Sequence, residues 1–143
     1  MFRVTRRYQF ACSHRLHSDF LSETENSLVY GKCNNPYGHG HNYVLRITAR
    51  GPANAAGQAV NIQLLDDLVK REILGVIDHR NLNADVDWFG VAVPTSENLA
   101  VAIGQRLKQN WNSVFAGDWP RLDQVCIEET PRNIFLINAD EIE

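Results

Sequence analysis

The chain has 143 residues, with 14 Lys and Arg against 17 Asp and Glu, and a formal net charge of −3 with His neutral. Hydrophobic residues make up 44% and charged residues 22%, which fits a single globular domain over 1–143 and excludes a collagen-like chain, a coiled coil and a long disordered tail. There is no basic field for nucleic acid, and no apolar run approaches the ~20 residues that span a bilayer.

Residues 2–14 alternate. Phe2, Val4, Tyr8, Phe10 and Cys12 share one parity, Arg3, Thr5, Arg7 and Gln9 the other, and His14 continues the apolar side. Period two predicts a half-buried strand. Charges stand in Met1–Arg7 where a signal peptide would be apolar, so the expected location is the cytoplasm, with no membrane partner. The three cysteines, Cys12, Cys33 and Cys126, are far apart and odd in number, which favours reduced thiols over a disulfide framework. Cys33 lies in a loop rich in Gly, Asn and Pro, beside Lys32 and six residues before His39. Residues 42–50 alternate again, and His39 and His41 share the parity of Tyr43 just upstream. Gly51–Gly57 reads as a hairpin or crossover loop.

Over 62–77 the period changes. Leu64, Leu65, Leu68, Val69, Ile73 and Val76 fit helical spacing, with Asn61 as N-cap. Asp78-His79 follows. A second helix starts at Thr95 or Ser96 after Pro94, with Leu99, Ile103, Leu107 and Trp111 as its stripe. Strands over 122–129 and 133–139 close the chain, and parity puts Glu129 on the face of Val125 and Ile127. The order predicts an α+β fold: a four-stranded antiparallel sheet with two helices on one face. Open outer edges must be covered or paired, so oligomerisation is expected.

The chemistry sits in a few positions. His39 and His41 point to one face of a strand, and Gly40 between them leaves room for a close approach. If the strands ending at His14 and beginning at His39 are neighbours, three nitrogens converge, which is the donor set of a catalytic zinc with an open fourth position. The competing reading is three solvated or hydrogen-bonded strand histidines. Cys33 is either a thiol activated by nearby positive charge or an inert packed one. Asp78-His79 is either an acid–base pair or a helix end. Thr95-Ser96-Glu97 most simply begins a helix. Glu129 sits either in water at the sheet margin or against a ligand's N–H groups.

Five segments taken together carry a specific resemblance: Phe10–Leu16 (FACSHRL), Gly31–Tyr43 (GKCNNPYGHGHNY), Asp78–Leu82, Pro94–Asn98 and Glu129-Thr130. In order, from about residue 6 to residue 137, the chain resembles the 6-pyruvoyl-tetrahydropterin synthase and 6-carboxytetrahydropterin synthase family. The resemblance implies the tunnelling fold, in which trimers close their sheets into a barrel and two trimers stack as a hexamer. It implies Zn²⁺ on His14, His39 and His41, Cys33 as catalytic thiol, and Asp78 and His79 assisting across a subunit interface. It also implies Glu129 anchoring a pterin ring, with Thr95, Ser96 and Glu97 near that pocket.

The implied reaction converts 7,8-dihydroneopterin triphosphate to 6-pyruvoyl-tetrahydropterin with loss of triphosphate. Lys32 and Arg15 are the candidate cations for the leaving group. Tyr37 and His17 depart from the family's usual residues at the pocket rim. The sister activity forms the carboxy product on the 7-deazaguanine (queuosine) route and releases acetaldehyde, usually with a shorter Cys-to-HGH spacing. A zinc-stabilised pterin- or purine-binding module without turnover is the non-enzymatic alternative.

Overall fold

The computed structural model describes residues 1–143, and its sheet and helices enclose one core cluster of 23 buried side chains. Strand β1 (Phe2–His14) pairs antiparallel with β2 (His39–Gly51) along its full length, Phe2 opposite Gly51 and His14 opposite His39. β2 pairs with β4 (Arg121–Thr130), and β4 with β5 (Asn133–Asn138), both antiparallel. A fifth strand, β3 (Arg80–Asn81), runs parallel to the end of β1, so the order is β3-β1-β2-β4-β5. The expected four antiparallel strands are therefore present, with one short parallel addition. Two residues are too few to display a period.

The alternation in β1 and β2 turns Tyr8, Phe10, Cys12 and His14, with Tyr43, Leu45, Ile47 and Ala49, to one buried side. Against that side pack α2 (Ile62–Val69), a wide π turn at Lys70–Leu74, α3 (Gly75–Ile77) and the long α4 (Ser96–Val114). Leu65, Leu68, Ile73 and Ile77 from the first run, and Leu99, Ile103 and Leu107 from α4, are fully buried. Each such burial is worth about 1.5–3 kcal/mol. Asn61 caps α2 by accepting from Leu64 N–H at 3.2 Å. No helix is long and apolar enough to cross a membrane.

An additional helix, α1 (Glu23–Tyr30), links β1 to β2 and continues into a tight turn at Gly31–Asn34. A capping box starts it: Ser22 Oγ accepts from Glu25 N–H and Glu25 Oε1 accepts from Ser22 N–H, both at 3.1 Å. Buried Asn26 knits the preceding loop to this helix, its Oδ1 accepting from Ser18 N–H at 2.7 Å.

Candidate active site

At the end of the β1–β2 ladder, Cys12 faces His41 and His14 faces His39. Cross-strand partners project to the same side, so all three imidazoles stand on the buried face. His14 is 1% exposed. Its Nδ1–H donates to the Pro94 carbonyl at 2.9 Å, which leaves the buried Nε2, with no partner of its own, as the lone-pair nitrogen. Burial lowers the pKa of His14, and burial also lowers that of His41 against the opposing pull of Glu129. In both, burial favours the neutral ring, the form that can offer a lone pair to an ion.

Cys33 reaches this group from the tight turn after α1. Its carbonyl accepts from Leu16 N–H at 2.7 Å, and Asn34 Nδ2 donates to Leu16 O at 2.8 Å. Gly38 makes the close return possible. It has φ +83°, and a Cβ there would meet the His14 carbonyl oxygen at 3.0 Å. Gly40, credited with that role from sequence, has nothing within 4 Å of a built Cβ. The tight approach falls two residues earlier, where the loop crosses β1.

Cys33 Sγ lies 3.5 Å from His41 Nε2, and Glu129 Oε1 lies 3.2 Å from the same nitrogen. The second carboxylate oxygen of Glu129 accepts from Ser96 Oγ at 3.1 Å. Ligand atoms of His14, Cys33, His41 and Glu129 all lie within 4.8 Å of one another. Two imidazoles, a thiol and a carboxylate on one point suit a borderline-soft divalent ion. His39 stands beside this group rather than in it, its ring centroid 4.7 Å from that of His41.

Comparison with known proteins bears on what this cluster is. The family model described as 6-pyruvoyl tetrahydropterin synthase matches residues 3–140. The chain belongs to that family. A 6-pyruvoyl tetrahydrobiopterin synthase of Drosophila melanogaster is 43% identical over 92% of this chain and 76% of its own. The Homo sapiens protein of the same name is 44% identical over 75% of this chain and 74% of its own. The solved structure of Caenorhabditis elegans 6-pyruvoyl tetrahydropterin synthase superposes with a TM-score of 0.84 at 40% identity, covering 96% of this chain and 94% of that one.

The remaining candidates divide between those that touch the cluster and those that stand away from it. The Cys33 thiol is pushed up, first by burial and then by the Glu129 carboxylate, not down by Lys32. A divalent cation held by this group would act in the opposite sense and favour thiolate. Asp78 and His79 are not gathered with Cys33. Asp78 Oδ1 accepts from Ala11 N–H at 3.0 Å beside β1. His79, at φ +59° and with an 82% exposed side chain, lies 3.7 Å from its own Asp78 and borders an open cleft that His41 also lines. Thr95 is the N-cap of α4, accepting from Asn98 N–H at 3.2 Å, and Glu97 is exposed in the first turn. Only Ser96 of that trio touches the cluster. Cys12 is packed core, its thiol pushed up to about 12, mainly by burial.

Two contributors escaped the sequence reading. One is the Pro94 carbonyl, a backbone group with no residue signature. The other is Tyr43, whose ring stacks on Phe10 at 4.9 Å and sits 5.5 Å from His41, with its buried hydroxyl unpartnered. Its only sequence signal was its parity with His39 and His41.

Proposed function

We propose that this chain, acting as one domain over 1–143, converts 7,8-dihydroneopterin triphosphate to 6-pyruvoyl-tetrahydropterin and eliminates triphosphate. The convergence of His14, Cys33, His41 and Glu129 carries this reading, together with relatives that bear the name of that synthase at 41–44% identity. His14, His39 and His41 would hold Zn²⁺. His14 fits that task because Pro94 has already fixed its tautomer. When bound, the ion supplies Lewis-acid polarisation of the substrate's side-chain oxygens and acidifies the adjacent C–H bonds.

The chain's own groups do the rest. Glu129, held by Ser96, accepts from the pterin ring's amino and N–H edge, a charge-assisted bidentate pair. The Cys33 thiolate removes a proton from the side-chain carbon beside the ring, and that proton and the neighbouring hydroxyl's end on the ring carbon and ring nitrogen, reducing the ring C=N as the side-chain carbon becomes a carbonyl. The C–O bond to the triphosphate breaks with its electron pair leaving on oxygen, and keto–enol shifts complete the product. Ring reduction and side-chain oxidation balance within one substrate, so no redox cofactor enters.

Asp78 and His79 assist as an acid–base pair from a neighbouring copy, which agrees with their exposure and with their distance from their own cluster. A homo-oligomer, a hexamer built from two trimers, follows from the same reading. Its support is the open edge at β5, where Ile134 and Leu136 are 53% and 57% exposed. The three cysteines are all unpaired, which supports a cytoplasmic setting.

The test is product analysis. Zinc-loaded protein is incubated with 7,8-dihydroneopterin triphosphate without reductant, and pterins are read by mass. A pyruvoyl product with released triphosphate is expected. A carboxy product with acetaldehyde would move the activity to the sister reaction, and binding without turnover would leave a binding module.

A further inference from the structure

Asn98, in the first turn of α4, donates from Nδ2 to the Val93 carbonyl at 2.7 Å. The same carbonyl accepts the Thr95 N–H at 2.8 Å, which closes a tight turn around Pro94. A hydrogen bond across one residue is that of an inverse γ-turn, and a proline ring, with φ at about −65°, suits its centre. Thr95 Oγ1 in return accepts the Asn98 N–H at 3.2 Å. The carbonyl of the central residue, Pro94, is the one that accepts from His14 Nδ1–H at 2.9 Å. We infer that Asn98 is a positioning residue for His14: through the turn at Pro94 it fixes which ring nitrogen His14 presents to an ion. The inference rests on the zinc set proposed above.

The turn requires a donor at this position. In a capping box the corresponding side chain accepts from the N-cap N–H. Here Val93 already takes the Thr95 N–H, and the side chain of Asn98 meets a carbonyl oxygen. An amide satisfies that oxygen and a carboxylate repels it.

His14 cannot set its own tautomer. It is 1% exposed and its Nε2 has no partner, so the hydrogen bond at Nδ1 is what distinguishes the two nitrogens. With the Pro94 carbonyl turned away, the proton is free to sit on Nε2. That withdraws the lone pair from the point shared with Cys33, His41 and Glu129. Loss of such an outer partner of a ligating histidine typically costs about 10–100-fold in metal affinity. The same turn of α4 holds Glu129 through Ser96. The start of this helix therefore sets both His14 and Glu129, one through the carbonyl before it and the other through a side chain within it.

The test uses the full chain with isotope-labelled histidine, and the variants Asn98→Asp and Asn98→Leu. Both keep the size of the side chain and remove the donor, and only one adds charge. An acid in the first turn suits the helix dipole, so Asn98→Asp keeps α4 stable. Solid-state NMR of the metal-free protein reads the ring tautomers of the five histidines, and His14→Gln identifies the His14 signal. Zinc affinity is measured by competition with a chelator. Wild type shows His14 in the Nδ1–H form alone. Both Asn98 variants show a mixture of Nδ1–H and Nε2–H and bind zinc about tenfold or more weakly. Asn61→Ala removes the N-cap of α2, lowers the stability of the fold and leaves both readouts unchanged.

A wild type protonated on His14 Nε2, the wild-type tautomer in both Asn98 variants, zinc affinity within about twofold of wild type in both, or an equal loss in Asn61→Ala would overturn the inference. The wild-type spectrum keeps the test decisive if the variants fold poorly. An Asn98-dependent tautomer in a chain that binds no zinc would refute the proposed metal set and uphold the hold of Asn98 on the ring.

Discussion

Pro94 touches no substrate in this account, yet its carbonyl decides which nitrogen of His14 is free. Ser96 does similar work for Glu129. It is 3% exposed and donates to one carboxylate oxygen while the other lies near His41. Removing a hydrogen bond to a charged group costs about 1.5–3 kcal/mol. Ser96→Ala is therefore expected to raise KM for the pterin substrate by about tenfold or more, with zinc content unchanged. Steady-state kinetics and metal analysis on one preparation check this, and an unchanged KM would remove Ser96 from the site. At this scale the parity of two strands made the convergence of His14 with His41 legible, because cross-strand partners share a face. The roles of Gly38 and Pro94 were not legible, since both depend on how a loop crosses a strand distant in sequence.

The elements legible in the sequence were those with a strong period. The helix over 62–77 appeared as one run, and the structure inserts a π turn at Lys70–Leu74. The physical reason is in the spacing: Leu65, Val69, Ile73 and Ile77 recur every four residues and drift around a 3.6-residue helix. A wider turn keeps all four buried. Helix α1 stayed hidden because its polar composition shows no stripe, although Ser22 and Glu25 spelled its capping box.

The contact between β1 and α2 also carries a pH signature. Arg6 donates twice to the Asp66 carboxylate, at 2.9 and 3.1 Å, and the Tyr8 hydroxyl donates at 2.7 Å. The Arg6 hydrogen bond, foremost, holds the Asp66 carboxyl below its ordinary range. The unfolded chain then takes up the proton first as pH falls. The stabilisation is complete above about pH 4 and is lost on further acidification through the folded pKa. Denaturant unfolding of wild type and Asp66→Asn should show a stability gap that narrows from pH 7 to pH 3. A constant gap would mean the carboxylate's charge contributes nothing.

At the scale of the whole molecule, the sheet leaves β3 and β5 at its margins and sets Asp78 and His79 away from the thiol they are proposed to serve. On that proposal a lone chain would hold an incomplete site. Sedimentation equilibrium is expected to give a multiple of the 16.2 kDa chain mass, with six the expected number; a monomer would leave Asp78 and His79 without a thiol to act on.

The proposed chemistry divides the labour: the imidazoles hold the ion and Cys33 is free to move protons. Cys33 lies close enough to the shared point to be a ligand itself, so Cys33→Ala, with zinc content and turnover measured together, separates the two roles. Full zinc occupancy and loss of turnover are expected. Loss of zinc would make Cys33 a ligand instead of the proton carrier, and wild-type turnover would contradict the mechanism outright.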